Sequence, residues 1–293
     1  MPSAVVDLGT NTFHLLVAQW RGGELVEVYR ERHFVKLAED GIERIGQSSV
    51  ARAVAAAIQI GHSLRKYELH STQAFATAAL RTATNGPALR EVLEEALGVP
   101  IEIIDGRREA ELIARGVMAA QPPASDYLIM DIGGGSVEFV RVKGGEVGFS
   151  ESYPLGAQVL RRRFHSREPF GKTEQDALDA FLEAALRRVV EAVGEGPLTL
   201  VGASGTFDVL AEAYGTRIAP ALCEVSAERV RDLYREAAAM TAAERAADPR
   251  IPADRADMIV VALGLIDFWV RRYPAMRLLT CDYALKEGAL PRP

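Results

Sequence analysis

The sequence predicts an α/β protein made of two related halves that face each other across a cleft. One stretch carries most of the argument: Leu128-Ile129-Met130-Asp131-Ile132-Gly133-Gly134-Gly135-Ser136-Val137-Glu138-Phe139-Val140, an apolar run that ends in an acid, turns through a glycine triplet and leaves as a second strand. A second copy of that plan opens the chain, in Ala4-Val5-Val6-Asp7-Leu8-Gly9-Thr10-Asn11-Thr12-Phe13-His14-Leu15-Leu16-Val17-Ala18. Two strand-Asp-x-Gly hairpins about half the chain apart point to an internal duplication. Both hairpins also continue into a further strand through a Gly-Gly turn, at Arg21-Gly22-Gly23 and at Gly144-Gly145, before helices and strands alternate.

In chain order, Ser3 to Asp7, Phe13 to Trp20 and Leu25 to Arg32 read as strands. A loop over Lys36 to Gly46 leads to Ser48 or Ser49 as a helix N-cap, and Val50, Val54, Ala57, Ile58, Gly61 and Leu64 fall on one face of that helix. Gln73 to Ala78 is a short buried strand, with Arg81 in the loop after it. Asn85-Gly86-Pro87 opens a helix that Gly98-Val99-Pro100 stops; Ile101 to Ile104 is a strand and Arg107 to Met118 a helix. Gln121-Pro122-Pro123-Ala124-Ser125 is the best linker in the chain and divides it into domains 1–121 and 122–293, with the last residues able to pack back on the first domain. Beyond it, Tyr127 to Ile132, Val137 to Lys143 and Glu146 to Tyr153 are strands, and helices start near Gly156 and Thr173. Leu198 to Val201 leads through Gly202-Ala203-Ser204-Gly205-Thr206 into a helix N-terminus. Helices fill most of Ser226 to Tyr273, broken near Asp248-Pro249, and Leu278 to Cys281 is the last strand.

Glycine lacks a Cβ, so its backbone N–H groups approach an anion closely and φ > 0 is accessible, which makes each hairpin turn a candidate phosphate loop. Asp131, at the end of its strand, faces the same space and is placed to hold a metal bound to that phosphate. The helix N-terminus at Gly205 favours an anion through free amides and the helix dipole. With 293 residues, 48% hydrophobic and 25% charged, the chain can build two ordinary cores. Two cysteines, Cys223 and Cys281, without C-x-x-C or H-x-x-x-H spacing, imply no disulfide framework and no zinc site. Asp7 interrupts any leader-like start and no run of about 18 apolar residues occurs, so a cytoplasmic protein without membrane contact is expected. A net charge of -6 argues against a nucleic-acid polymer as partner, and a polyanionic ligand must then be met by local basic groups or metal ions.

These motifs carry a resemblance. Asp7-Leu8-Gly9-Thr10-Asn11-Thr12, Thr77-Ala78-Ala79-Leu80-Arg81-Thr82-Ala83-Thr84-Asn85, Gly106-Arg107-Arg108-Glu109-Ala110, Asp131 to Glu138, Pro154-Leu155-Gly156-Ala157, Gly202 to Thr206, Arg255-Ala256-Asp257 and Leu285-Lys286-Glu287-Gly288 run nearly end to end. Together they resemble the exopolyphosphatase and guanosine pentaphosphate phosphohydrolase (Ppx/GppA phosphatase) family, within the actin-like and sugar-kinase (ASKHA) superfamily of duplicated ribonuclease-H-like domains. The chain resembles the short form, without the C-terminal helical domain of longer relatives. It departs from the family at Thr10 and Thr12, where serines are usual, at His14, where some members carry arginine, and at Cys281, Ala284 and Lys286, where Ser, Gly and Arg are more usual.

The resemblance implies a phosphoanhydride hydrolase with Glu109 as the catalytic base that activates water. It assigns Mg²⁺ to Asp131 and Glu138, directly or through water, with Asp7 assisting. Gly9, Thr10, Asn11, Thr12, Thr77, Arg81, Gly133, Gly134, Gly135, Ser136, Gly205 and Arg255 become the phosphate contacts. Glu111, two residues past Glu109, is expected on the solvent face. Arg161, Arg162 and Arg163 point about 100° apart on a helix and cannot form one track. A basic strip of Arg81, Arg107, Arg108, Arg250 and Arg255 is expected to hold a long chain. Inorganic polyphosphate is the leading substrate, guanosine pentaphosphate the alternative, and a low-activity nucleotide or polyphosphate sensor the reading from another class. A homodimer is compatible with the resemblance.

Overall fold

The computed structural model describes residues 1–292. The first half contains β1 (Ser3–Leu8), β2 (Thr12–Arg21), β3 (Glu24–Phe34), α1 (Gln47–Leu64), β4 (Thr72–Ala76), α2 (Ala78–Thr82), α3 (Gly86–Leu97), β5 (Ile101–Ile103) and α4 (Gly106–Ala119). The second contains β6 (Tyr127–Ile132), β7 (Val137–Lys143), β8 (Glu146–Tyr153), α5 (Ala157–Phe164), α6 (Lys172–Ala185), α7 (Arg187–Val193), β9 (Thr199–Ala203), α8 (Gly205–Tyr214), β10 (Thr216–Ala219), β11 (Leu222–Val225), α9 (Ala227–Ala239), α10 (Ala242–Ala247), α11 (Ile259–Arg272), β12 (Arg277–Cys281) and α12 (Leu285–Ala289).

The strand orders prove the duplication. One sheet runs β3-β2-β1-β4-β5 and the other β10-β11-β12-β9-β6-β7-β8, so β8-β7-β6-β9-β12 repeats the first sheet strand for strand. The directions repeat too: β1 and β6 pair antiparallel with the next strand and parallel with β4 and β9. The two sheets with their helices therefore repeat one α/β plan, and Gln121 to Ser125 connect α4 to β6, with Gln121 at a left-handed φ of 53°.

Strand alternation decides what each sheet face carries. Ala4, Val6 and Leu8 turn to a core under α1 and α3, while Val5, Leu16 and Ala18 turn to a second core shared with Ile129, Val140, Val142 and Val201 of the other sheet. Helices α4 and α12 lie in that shared layer through Ala110, Leu112, Ile113, Val117 and Leu285. They touch closely: a Cβ on Gly288 would stand 1.8 Å from the Leu112 carbonyl oxygen, and one on Gly116 2.0 Å from that of Ala284. The remaining face of the second sheet packs on α11, whose residues from Ile259 to Val270 are all buried.

Several expectations need correction. Helix α1 starts after Gly46, not at a serine cap, and Ser49 is buried with its hydroxyl donating to the Lys36 carbonyl at 2.8 Å. The buried stripe is therefore Ala53, Ala56, Ala57, Ile60, Gly61 and Leu64, and Ile58 is 42% exposed. Ala78 and Arg81 lie in α2 rather than in a strand and a loop. The hairpin β10–β11 and the short α12 were not expected at all. Among the described residues, no helix is long and apolar enough to cross a membrane.

Candidate active site

The same alternation builds the site. Asp7 follows Val5 on β1, and Asp131 follows Ile129 on β6, so both carboxylates turn toward the layer between the domains, at the carboxyl ends of their strands. Their cross-strand partners share that face: His14 pairs with Asp7 and Glu138 with Asp131. Where the shared apolar layer stops, these four side chains line a cavity of about 450 Å³.

Helix α4 delivers Glu109 into it. Asp105 caps the helix by accepting from the Arg108 N–H at 2.8 Å, which puts Glu109 in the first turn, and packing of Ala110 and Ile113 sets the rotation. Glu109 is 7% exposed. Arg81 donates to its Oε2 at 3.0 Å and to the Ile104 carbonyl at 2.8 Å. Arg81 stands behind Glu109, and in this structure its guanidinium holds that glutamate. Glu111 turns away, toward Arg107 and Arg108.

The two loops use their glycines differently from the expectation. None of Gly9, Gly133, Gly134 and Gly135 is left-handed. What matters is close approach, because a Cβ on Gly134 would stand 2.4 Å from Asn11 Nδ2 and one on Gly135 2.8 Å from Thr10 Oγ1. The two turns therefore already meet. Each is closed by the same bond, Gly9 N–H to the Thr12 carbonyl at 3.1 Å and Gly133 N–H to the Ser136 carbonyl at 3.0 Å. On the outer side, Val35, Lys36 and Leu37 N–H groups hold the Asn11 and Thr10 carbonyls, as Gly156, Ala157 and Gln158 hold those of Gly135, Gly133 and Gly134. The Thr10, Asn11, Gly134 and Gly135 N–H groups have no backbone acceptor among the described residues, and all four residues line the cavity. Asn11 is buried, its Nδ2 donates to Met258 Sδ at 3.3 Å, and its Oδ1 has no partner.

Electrostatics mark the cavity as a place short of counter-charge. Loss of water pushes the Asp7 and Asp131 carboxyls up to about 6, opposed by Lys286 at Asp7 and by the Ser204 hydroxyl at Asp131. Burial pushes Glu109 up to about 7 against the pull of Arg81. Glu138 is raised well above the ordinary range, by burial first and then by Glu109 and Asp131, while Ser152 donates to its Oε1 at 2.7 Å. His14 is held neutral, well below its ordinary value, by desolvation and by Lys286, Arg32, Arg255 and Arg30; its Nε2 lies 2.8 Å from Thr12 Oγ1.

Among the described residues no three His, Cys, Asp or Glu side chains form a ready-made metal cage. Mg²⁺ needs no such cage, since this ion keeps several waters and is held by one or two carboxylates together with phosphate oxygens. Asp131, Glu138 and Asp7, raised first by lost hydration and then by neighbouring acids, Glu287 in the case of Asp7, are hard oxygen donors of the kind that ion takes.

Of the other expected contacts, Thr77, Ser136, Gly205 and Arg255 line the cavity. Gly205 begins α8 after Ser204, which adopts φ 70°, and a Cβ on Gly205 would stand 2.3 Å from the Arg255 guanidinium. Sequence reasoning missed Arg30, Lys286 and Asp208 as lining residues; Lys286 was visible only as a departure from a motif, and Arg30 reaches the site because β3 runs beside β2. Of the expected basic strip, Arg255 lines the cavity. Arg250 is engaged by Asp248 and Glu236 at 2.6 Å each, and Arg107, 84% exposed, turns with Arg108 to Glu111.

Comparison with known proteins places the chain in a family. The Ppx/GppA phosphatase family matches over residues 16–292. An uncharacterised protein of Streptomyces coelicolor is 30% identical, aligned over 100% of this chain and 90% of its own length. The crystal structure of an exopolyphosphatase from Cytophaga hutchinsonii superposes with a TM-score of 0.90 at 31% identity, covering 98% of this chain and 96% of that one. The Aquifex aeolicus PPX-GPPA enzyme shares the fold, with a TM-score of 0.79 at 22% identity and 98% of each chain covered. From the motifs, the repeated sheets and these matches, the chain belongs to the Ppx/GppA phosphatase family.

Proposed function

We propose that the cleft hydrolyses the terminal phosphoanhydride bond of inorganic polyphosphate, with Mg²⁺ as cofactor. The observation that carries this reading is a buried glutamate, Glu109, fixed by Arg81 and facing the amides of two abutting loops across a cavity that also holds Asp131 and Glu138. Hydrolysis needs a positioned water, an acceptor for its proton and compensation for charge on the transferred phosphoryl group. Glu109 Oε takes the proton as the water oxygen bonds to the terminal phosphorus. The bridging P–O bond breaks with its electron pair going to the penultimate phosphate. The Thr10, Asn11, Gly134 and Gly135 N–H groups, with the Ser136 and Thr77 hydroxyls, receive the phosphoryl oxygens. Bound Mg²⁺, held by Asp131, Glu138 and Asp7, would neutralise charge on those oxygens and offset the acidity of the cavity.

Orthophosphate release from inorganic polyphosphate, guanosine pentaphosphate and ATP, each with and without Mg²⁺, tests the proposal. Metal-dependent release with the inorganic chain preferred supports it. Preference for guanosine pentaphosphate supports the nucleotide reading, and binding without turnover supports a sensor.

A further inference from the structure

Three neighbouring strands carry a row of polar residues across the second sheet. Asp131 on β6 pairs with Glu138 on β7, and Glu138 pairs with Ser152 on β8, so all three side chains turn to the layer between the domains. Glu138 is 1% exposed, and the Ser152 hydroxyl donates to its Oε1 at 2.7 Å. A hydroxyl that donates to one oxygen of a buried carboxylate fixes how that carboxylate is turned, as the outer partners of metal ligands do. Ser152 itself stands outside the cavity lining, so it reaches a ligand only through Glu138.

The same residue meets the first domain. Asp105 caps α4, which makes Gly106 the first residue of that helix, and Glu109 stands three residues on in the same turn. A Cβ on Gly106 would lie 2.4 Å from Ser152 Cβ and 2.8 Å from its Oγ. Gly106 is not left-handed, so the closeness of β8, rather than its own backbone conformation, calls for a glycine here. Two residues back on β8, Ser150 turns to the same face, but its hydroxyl has no partner.

We infer that Ser152 is a positioning residue for both halves of the chemistry: its hydroxyl turns Glu138 toward a divalent cation, and its Cβ seats the first turn of α4, which carries Glu109. The inference rests on the phosphoanhydride reading above. The base comes from the first domain and the carboxylate from the second, and Ser152 touches the elements that bear both. It thereby fixes the one relative to the other.

Substitutions separate the two roles. Ser152→Ala removes the hydroxyl and keeps the Cβ. The Kd for Mn²⁺, followed by electron paramagnetic resonance without substrate, should rise about tenfold, as should the Mg²⁺ concentration for half-maximal phosphate release from tripolyphosphate. Its kcat at saturating metal should stay within about threefold of wild type, and Ser150→Ala should change none of these values. In a Glu138→Gln background, Ser152→Ala should weaken metal binding by less than about twofold, because the two residues act as a unit. Gly106→Ala should lower kcat more than about tenfold by displacing Glu109, and adding Ser152→Gly should bring it back to within about threefold of Ser152→Gly alone. Should Gly106→Ala not fold, recovery of its Tm by Ser152→Gly decides in the same way.

Metal binding by Ser152→Ala equal to wild type, or weakened as much without Glu138 as with it, overturns the inference. So does a Gly106→Ala defect that Ser152→Gly does not relieve. Both leave the phosphatase reading intact as long as the wild type releases phosphate. If the wild type turns over without binding Mn²⁺ alone, its Mg²⁺ dependence decides. If it binds Mn²⁺ without turnover, the Kd values and the Tm of the Gly106 and Ser152 variants decide, and only the phosphatase reading falls. A wild type that does neither removes that reading and the inference with it.

Discussion

Arg81 and Glu109 form a 3.0 Å ion pair that stands behind the cavity wall, with the arginine outside and the glutamate inside. The same Nη1 also donates to the Ile104 carbonyl at 2.8 Å, which anchors the guanidinium, so the pair sets where the carboxylate points. It also sets its charge: burial raises Glu109 toward 7, and Arg81 is what limits the rise. Arg81→Met should therefore move the acid limb of the kcat–pH profile to higher pH, because Glu109 then ionises later, with little change in KM. The rate lost at pH 7 should return in part as pH rises. An unshifted limb would mean that Arg81 does not act through Glu109.

Asp131 should destabilise the metal-free protein near neutral pH. Its folded-state value, about 6, lies above the ordinary 3.8, so the folded protein holds a proton that the unfolded chain releases. Stability is then fullest below the unfolded value and falls as pH rises through about 6, by on the order of 2–3 kcal/mol in all. Asp131→Asn removes that loss, so thermal unfolding without Mg²⁺ should show a higher Tm for the variant at pH 7.5 and no gain at pH 4. The same variant should need more Mg²⁺ for half-maximal rate. A Tm difference independent of pH would contradict the account.

Gly134→Ala probes the contact between the loops. The new Cβ would lie 2.4 Å from Asn11 Nδ2 and 2.7 Å from its Cγ, so Asn11 must leave its seat on Met258 or the loops must part. Overpacking of this kind costs about 1–3 kcal/mol. We expect a folded protein with a lower Tm and a KM for oligophosphate raised at least tenfold. Gly22→Ala, at a turn with nothing within 4 Å, should cost stability through its φ of 59° but leave KM unchanged.

Much of this was legible before the fold was known, because the informative signals are local. Strand–Asp–turn–strand patterns place Asp7 and Asp131 by alternation alone, and β6, β7 and β8 begin and end where turn residues put them. Signals that depend on packing were less legible. Strands β10 and β11 are four residues each and carry no alternating pattern, so pairing with β12 makes them strands. Ile58 looked buried by spacing, yet α1 is rotated so that alanines and Gly61 face inward. The charge reading failed at Arg250 for a related reason, since sequence spacing does not reveal that Asp248 and Glu236 engage it. Arg30 and Lys286 come from β3 and α12, remote in sequence from both loops, and only the closed topology brings them to the cavity.

The glycine triplet lies at the cavity, and its reading from sequence was incomplete in mechanism. Its residues line the cavity, but close approach explains their size, of Gly134 to Asn11, of Gly135 to Thr10 and of Gly133 to the Ser136 carbonyl of its own turn, with no left-handed backbone involved. The duplication supplies the reason: each loop is the other's packing partner, so both must be thin.

The central claim is that Glu109 activates the attacking water, and single-turnover phosphate release by Glu109→Gln at saturating tripolyphosphate and Mg²⁺ tests it most directly. The amide keeps the size of the side chain and removes its basicity, so substrate binding should be nearly unchanged. The rate of the chemical step should fall by about 10²–10⁴-fold, while Glu111→Gln, at a residue turned toward Arg107 and Arg108, should keep the wild-type rate. A Glu109→Gln variant that keeps more than about a tenth of the wild-type rate would place the base elsewhere and contradict the account.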